Sequence, residues 1–515
     1  FHLLHSPQHS WGIRLFIYPT HRLNHVSRFL LGHFVELFDT NIVNGIFMPG
    51  HPLADEDGFR KDILEKLREV NVSQIRWAGN FSSNYHWLDG VGNPEKRPKK
   101  YDYAWQRIED NRFGTAEFIK LCRKLGAEPV IGVNMGSGTP EEAMNWVEYC
   151  NGTGDSEYAN LRRSHGYEEP FNVKYWCLGN EMYAQWQFGF QKAEEYAHSA
   201  IHFAYAMRRV DPSIKLTAVG LETDPEWNYK IVRELAMHQT AYAPQAGDYI
   251  NFLSAHYYAI GNEGAFANSD YKTRLSLGEY YHERSVLMRN AIENATNDLD
   301  SPIKIAWDEW HPVAVPDGTE FTLEAALLSA SIINWYIRDS SFVEMANYTF
   351  FVGGNGPIKV KNDKIILQPE FYMMKMFAEN LGVNLIESID DSPKVNVKMP
   401  VDQRWFKKGE SEFKARDISL IDVVTTIDSD ENVSTFIINK GLEDADIEIK
   451  LNEIDAVYKT ARIETLWNKD LRANNFVNPK NVIPQENKVD IDDNHLKLTL
   501  PAHSFNVITF NKKEL

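Results

Sequence analysis

Two short segments each deliver a carboxylate at the end of an apolar run. Lys174-Tyr175-Trp176-Cys177-Leu178 leads into Gly179-Asn180-Glu181, and Ile303-Lys304-Ile305-Ala306-Trp307 leads into Asp308-Glu309-Trp310. Such a run is the pattern of a parallel strand buried on both faces, and it stops where a site begins. Two glutamates at the carboxyl ends of two strands of one barrel face each other across its mouth. The chemistry open to that pair is proton transfer by one carboxyl and nucleophilic attack by the other, the machinery that cleaves glycosidic bonds. Alone, either glutamate is a weak signal and reads more readily as a cap or an arginine partner. Their placement on two barrel strands is the stronger signal, because barrel catalytic groups sit at carboxyl strand ends. By strand alternation Asp308 points away from Glu309 and has a structural role.

Three more runs end in polar groups. His256 and Tyr258 close one, where a phenol can hold a neighbouring carboxylate ionised and oriented. The bland alternative is a satisfied core histidine and a rim tyrosine. Glu36 ends another run and Asn80 lies just past a third, both candidates for recognising hydroxyl groups from a rigid rim.

The elements that must position these groups follow a β-then-α alternation from about residue 30. Strands are expected at 33–36, 74–77, 128–134, 174–181, 215–219, 249–256, 303–309 and 345–351. Helices are expected at about 57–69, 115–125, from 140, 193–210, 322–338 and 369–380, with Thr139 as N-cap and Pro140 at the first helical position. Eight strands separated mostly by helices describe a (β/α)8 TIM barrel. After about residue 385 helical periodicity disappears and short alternating runs take over (418–424, 433–439, 445–451, 496–500), the pattern of half-buried antiparallel strands. The expected organisation is a barrel over 26–384 and an all-β, jelly-roll-like sandwich over 385–515. A strand at 13–18, stopped by Pro19, joins the sandwich from the N-terminal 25 residues. Polar stretches at 400–416 and 470–494 read as surface loops.

With 515 residues, 43% hydrophobic and 24% charged, the chain has ordinary globular composition, and its length suits a large barrel plus a smaller domain. The net charge of −18 repels nucleic acid and anionic membranes, and a neutral substrate fits better. No apolar run reaches the length of a membrane span. The three cysteines, Cys122, Cys150 and Cys177, do not make a disulfide framework, and no Cys/His spacing suggests zinc. The chain starts at Phe1 rather than Met. The compartment stays open between a cytoplasmic protein, slightly favoured, and a processed secreted or periplasmic form.

Longer stretches combine into a specific resemblance. They are GHFVE (32–36), PGHP (49–52), ADEDGFR (54–60), WLDGVG (87–92), EKRP (95–98), GTAEF (114–118), LRRSHGYEEP (161–170), WCLGNEM (176–182), DEW (308–310) and SFNVI (504–508). Together they resemble the α-L-arabinofuranosidases of glycoside hydrolase family 51 over nearly the whole chain. The resemblance implies a retaining exo-glycosidase built as a barrel with a C-terminal β-sandwich. It places Glu181 on the family's acid/base and Glu309 on its nucleophile. Glu36, Asn80, Asn180 and Tyr258 fall on residues that contact or orient the sugar, and Trp105 on a tryptophan bordering the leaving-group side. It also implies a carbohydrate substrate, a homo-oligomer that is often a hexamer, no metal and no cofactor. Retaining chemistry puts the two carboxyl groups about 5–5.5 Å apart. The charge of Glu309 is expected to raise the pKa of Glu181.

The chain departs from the family pattern at five places. Ala78-Gly79-Asn80 follows the second barrel strand without the usual proline and one residue shorter. Tyr183 replaces an aspartate, Leu37 a histidine, and Phe350 the strand-eight glutamine that binds the furanose. The tryptophan that follows the nucleophile is absent from Trp310-His311-Pro312-Val313. A retaining glycosidase for another furanoside or for a β-glucan is therefore the alternative within enzymes. A non-catalytic carbohydrate-binding relative is the alternative outside them.

Overall fold

The computed structural model describes residues 12–237, 249–260, 264–313, 318–361, 363–402, 412–454 and 457–512. Strand β1 (Ile13–His25) comes first. Barrel strands β2 (Gly32–Val35) and β3 (Gln74–Trp77) are followed by an inserted antiparallel hairpin, β4 (Lys100–Asp102) and β5 (Arg107–Glu109). Six more barrel strands complete the set: β6 (Glu128–Gly132), β7 (Tyr175–Leu178), β8 (Lys215–Ala218), β9 (Phe252–Ile260), β10 (Lys304–Val313) and β11 (Val343–Tyr348). They close in the order β10-β11-β2-β3-β6-β7-β8-β9, every neighbouring pair parallel. That is the (β/α)8 barrel.

The helices form where their sequences bury one face. Helix Thr115–Leu125 buries Ala116, Phe118, Ile119, Leu121 and Cys122, and stops at Gly126, whose φ of +66° suits glycine. Thr139 caps helix Pro140–Asn151, its side chain accepting from the Glu142 N–H at 3.1 Å. Strand ends differ from the sequence expectation by a few residues. β2, β7 and β11 end at Val35, Leu178 and Tyr348, so Glu36, Glu181 and Phe350 lie in the turns beyond them, while β9 and β10 run on past His256 and Glu309. The first helix begins at Lys61 rather than near 57.

Beyond the small hairpin β12 (Ile358–Lys361) and β13 (Lys364–Leu367) comes the all-β part. Its strands are β14 (Asn384–Asp390), β15 (Lys394–Asp402), β16 (Glu412–Ser419), β17 (Ile421–Ile427), β18 (Val433–Asn439), β19 (Ala445–Leu451), β20 (Tyr458–Leu466), β21 (Gln485–Asp490), β22 (His495–Leu500) and β23 (Ser504–Lys512). Nine strands are hydrogen-bonded in the order β21-β20-β23-β18-β17-β14-β1-β19-β22. Side chains from both halves of this sheet, including Leu15, Ile17, Ile447 and Ile449 on one side and Ile437, Ile508 and Phe510 on the other, pack into one core. β1 pairs antiparallel with β14 and parallel with β19.

Three expectations are corrected here. Pro19 does not stop β1. It sits where the register with β14 slips between Tyr18 and Arg22, a bulge that needs no N–H from it. The stretch 400–416 is not a simple loop, since its described parts belong to the β15–β16 hairpin (403–411 lie outside the described residues). The stretch 470–494 is turns and irregular backbone as far as 484, as expected of a loop, but it also contains β21, an edge strand that pairs with β20 through mostly exposed residues.

Barrel and sheet are locked by a buried charge cluster. Asp422 accepts from Ser331 Oγ at 2.9 Å, ion-pairs with Arg338, and lies 3.3 Å from Lys440 Nζ. Phe377, on the last barrel helix, stacks on Phe436 and Phe505 of the sheet at 4.7 and 5.0 Å.

Candidate active site

Arg76 is the hub of the barrel mouth. It is the third residue of β3, fully buried, and its guanidinium spreads over three partners: Nη1 donates to Glu309 Oε1 at 2.9 Å, Nη2 to Asn180 Oδ1 at 2.7 Å, and Nε lies 3.0 Å from Asp308 Oδ2. Its other face sits over the Phe34 ring, 5.1 Å from the centroid. Sequence reasoning passed over it. The signal was there, because an arginine inside a short buried strand must be paired.

Asp308 does not point away from Glu309. The register of β10 slips against β9 between Ala306 and Glu309 and against β11 between Trp307 and Trp310. That irregularity breaks the alternation on which the opposite expectation rests, and both carboxylates reach Arg76.

Glu181 arrives by a different route. β7 ends at Leu178, and Gly179 and Glu181 both take left-handed backbone, φ +82° and +46°. A non-glycine residue there is strained, a state that clusters at functional sites. Glu181 Oε1 lies 3.0 Å from His256 Nδ1, and Oε2 accepts from the Trp186 indole N–H at 2.6 Å. Glu309 Oε2 accepts from the Tyr258 hydroxyl at 2.7 Å and lies 3.6 Å from His256 Nδ1, while His256 Nε2 lies 2.9 Å from Asp308 Oδ1. One ligating atom each of Glu181, His256 and Glu309 fall within 4.8 Å of one another. That is also the reach of a metal site, but Arg76 and His256 already supply positive charge there.

The charges follow from this packing. Burial disfavours an imidazolium at His256, but the charges of Glu309 and Asp308 and the bonds to Asp308 and Glu181 outweigh it, and its pKa is raised to about 10. Burial pushes the Glu181 carboxyl up, but His256, Trp186 and Arg76 outweigh it and the net shift is downward. The expected rise is thus reversed, because His256 and Trp186 hydrogen-bond the Glu181 carboxylate directly and the charges of His256 and Arg76 favour its ionised form. Glu309 moves the other way: burial and the Glu181 charge exceed what His256, Arg76 and Tyr258 give back. Burial, then the Glu309 charge, raise Glu36 to about 8.

A cavity of about 380 Å³ opens over these groups. Of the residues singled out from the sequence, Glu36, Asn80, Trp105, Glu181, Tyr258 and Glu309 line it. Asn180 and His256 do not. The Asn180 amide is taken up by Arg76, by Gln187 Oε1 at 3.1 Å and by Asn80 Oδ1 at 3.4 Å. Glu36 Oε1 accepts from the Trp105 indole at 2.9 Å. Gly79 makes that placement possible: a Cβ on it would fall 2.4 Å from Glu36 Oε1, and its φ is +111°.

The family models match on both parts of the chain: the α-L-arabinofuranosidase 1 domain over residues 66–258 and the α-L-arabinofuranosidase C-terminal domain over 306–504. The chain is 35% identical over 464 residues to α-L-arabinofuranosidase C of Emericella nidulans, an alignment covering 87% of this chain and 88% of that one. It belongs to the α-L-arabinofuranosidases of glycoside hydrolase family 51. It is also 31% identical over 526 residues to the intracellular exo-α-(1→5)-L-arabinofuranosidase 1 of Bacillus subtilis, covering 97% and 99% of the two chains. The family 51 α-L-arabinofuranosidase structure from Thermotoga petrophila superposes with a TM-score of 0.86 at 33% identity, covering 97% of this chain and all of that one.

Within this arabinofuranosidase family, the departures differ in where they fall. Ala78 is buried against Gly132, whose Cβ would come within 2.6 Å of its own. Tyr183 packs edge-on against Trp227 at 5.8 Å and does not line the cavity, and neither does Leu37. Phe350 does. Its ring stacks on Phe34 and Phe38 at 5.3 and 5.5 Å, giving the pocket an apolar wall.

Proposed function

We propose that Glu309 and Glu181 hydrolyse terminal α-L-arabinofuranosyl linkages by double displacement. The observation that carries this is the approach of the two carboxylates to within 4.8 Å beneath one cavity, on the retaining side of the spacing that separates retaining from inverting pairs. Glu309 attacks the anomeric carbon while the bond to the leaving oxygen breaks and Glu181 supplies that oxygen's proton. Water then attacks the same carbon, gives its proton to Glu181, and releases Glu309. Arg76 and Tyr258 hold Glu309 for attack. Asn180 and His256 act as positioning residues behind the wall.

Glu181 has to be protonated before the first step. The Trp186 N–H occupies one of its oxygens. A bound leaving group takes the place of that bond and excludes water. Both changes disfavour the carboxylate, so Glu181 gains its proton as substrate binds. The apolar wall at Phe350 favours, as a second reading, a furanoside with fewer hydroxyls on that face. Family likeness supports a homo-oligomer, which sedimentation equilibrium measures.

Azide separates the two roles. Glu309→Gly leaves room beside the anomeric carbon, and added azide gives a glycosyl azide of inverted configuration. Glu181→Ala still forms the glycosyl-enzyme from an activated aryl glycoside, shows a burst, and gives the retained azide. The opposite stereochemistry in the two variants would mean the roles are exchanged.

A further inference from the structure

A second cavity, about 180 Å³, lies beside the first. The two share a wall made of adjacent residues: Glu36 and Phe38 face the first and Leu37 the second, Asn80 the first and Phe81 the second. The β4–β5 hairpin serves both, with Trp105 at its turn lining the catalytic cavity and Tyr101, Tyr103 and Glu109 lining the other. No step proposed above uses this second cavity.

An aromatic track joins them over the surface. It starts at Trp186, on the Glu181 side of the dyad, where the leaving group departs. Phe188 follows two residues on, stacked on Tyr103 at 6.5 Å, and Tyr103 meets Tyr101 edge-on at 5.1 Å. These four side chains are 46–61% exposed, an apolar strip of the kind that marks a binding surface and not a core. At its end the cavity offers polar groups. Asp102 Oδ2 is buried without a hydrogen-bond partner while Oδ1 accepts from the Ala104 N–H, and Asn84, Asp89 and Glu109 stand around it. Stacking faces with side-chain acceptors are the chemistry that holds a sugar ring. Three carboxylates, Asp89, Asp102 and Glu109, face two cations, Lys100 at 3.8 Å from Asp89 and Arg107 at 3.2 Å from Glu109, and the remaining negative charge disfavours an anionic sugar.

We propose that this cavity is a subsite for the leaving-group chain, binding a neutral sugar residue at least two rings beyond the scissile bond, so that the preferred substrate is an uncharged oligosaccharide or polymer and not a short glycoside. The proposal rests on the leaving-group direction given by Glu181 above.

The test compares kcat/KM for an aryl α-L-arabinofuranoside with neutral arabino-oligosaccharides of two, three and four residues. The wild type is expected to show a step of roughly tenfold at the length that reaches the cavity. Tyr101→Ala removes a stacking face and is expected to lower the longer substrates roughly five- to tenfold while leaving the aryl glycoside unchanged, and Tyr101→Phe keeps the step. No length dependence in the wild type overturns the subsite. So does a Tyr101→Ala variant that loses aryl and oligosaccharide turnover equally, or one that changes only the oligomeric state, which would make the strip an interface between copies. Failure to cleave any arabinofuranoside, by contrast, rejects the functional reading itself and is seen in the aryl assay alone.

Discussion

Asp308 and Glu309 are neighbours in sequence, and both grip the same arginine: Asp308 Oδ2 lies 3.0 Å from Arg76 Nε, and Glu309 Oε1 2.9 Å from Nη1. Asp308 also touches His256 Nε2 at 2.9 Å, so it links the arginine under Glu309 to the imidazolium beside Glu181. Two cations and three carboxylates thus share one buried site. Removing either cation leaves buried carboxylates uncompensated.

Asp308→Asn keeps the shape and removes one charge. His256 loses one of the three carboxylates that raise it to about 10, so its pKa falls. Arg76 keeps Glu309 and Asn180 but loses one buried partner, at a stability loss on the order of 1–3 kcal/mol. NMR titration of the His256 ring nitrogens and thermal melts read both effects. An unchanged His256 titration would refute the linkage.

Trp186→Phe removes the N–H that stabilises ionised Glu181. The direction is fixed by the charge form it favours: without the donor, Glu181 holds its proton to higher pH. The alkaline limb of kcat/KM should move up by roughly one pH unit. A shift downward would show that Trp186 does not act on the acid.

Glu36→Gln mimics the protonated side chain. The folded pKa of about 8 lies above the ordinary value of 4.5. The native state therefore binds the extra proton between those values. Its stabilising contribution is complete below 4.5 and is lost as pH rises through about 8. Glu36→Gln should match the wild type near pH 4.5 and exceed it by about 2–5 kcal/mol at pH 8.5, measured by denaturant unfolding at both pH values. An equal difference at both would mean that Glu36 is not buried as a neutral acid.

Phe350→Gln restores a hydrogen-bonding group to the pocket wall. The wild type is expected to turn over simple aryl arabinofuranosides weakly, and the variant to gain roughly two- to tenfold in kcat/KM. The gain is measured against a phenyl wall that still contains Phe34 and Phe38. A loss instead would show that the Phe350 ring itself contacts the substrate.

Periodicity alone carried the eightfold alternation, and helices 115–125, 193–210 and 369–380 end where turn and cap residues stop them. Local signals of that kind are written in consecutive residues. The carboxylates at positions 181 and 309 were visible for the same reason, since each closes its own apolar run. Other features depend on what lies across the barrel. A slipped register in β10 turned Asp308 inward, and register is set by neighbouring strands. The Arg76 side chain found its three partners only once β3, β7 and β10 met at one rim. The direction of the Glu181 shift is not legible in the sequence because it depends on His256 and Trp186, 75 and 5 residues away, both hydrogen-bonding the carboxylate. Charge interactions depend on distance and burial, and those belong to the folded chain.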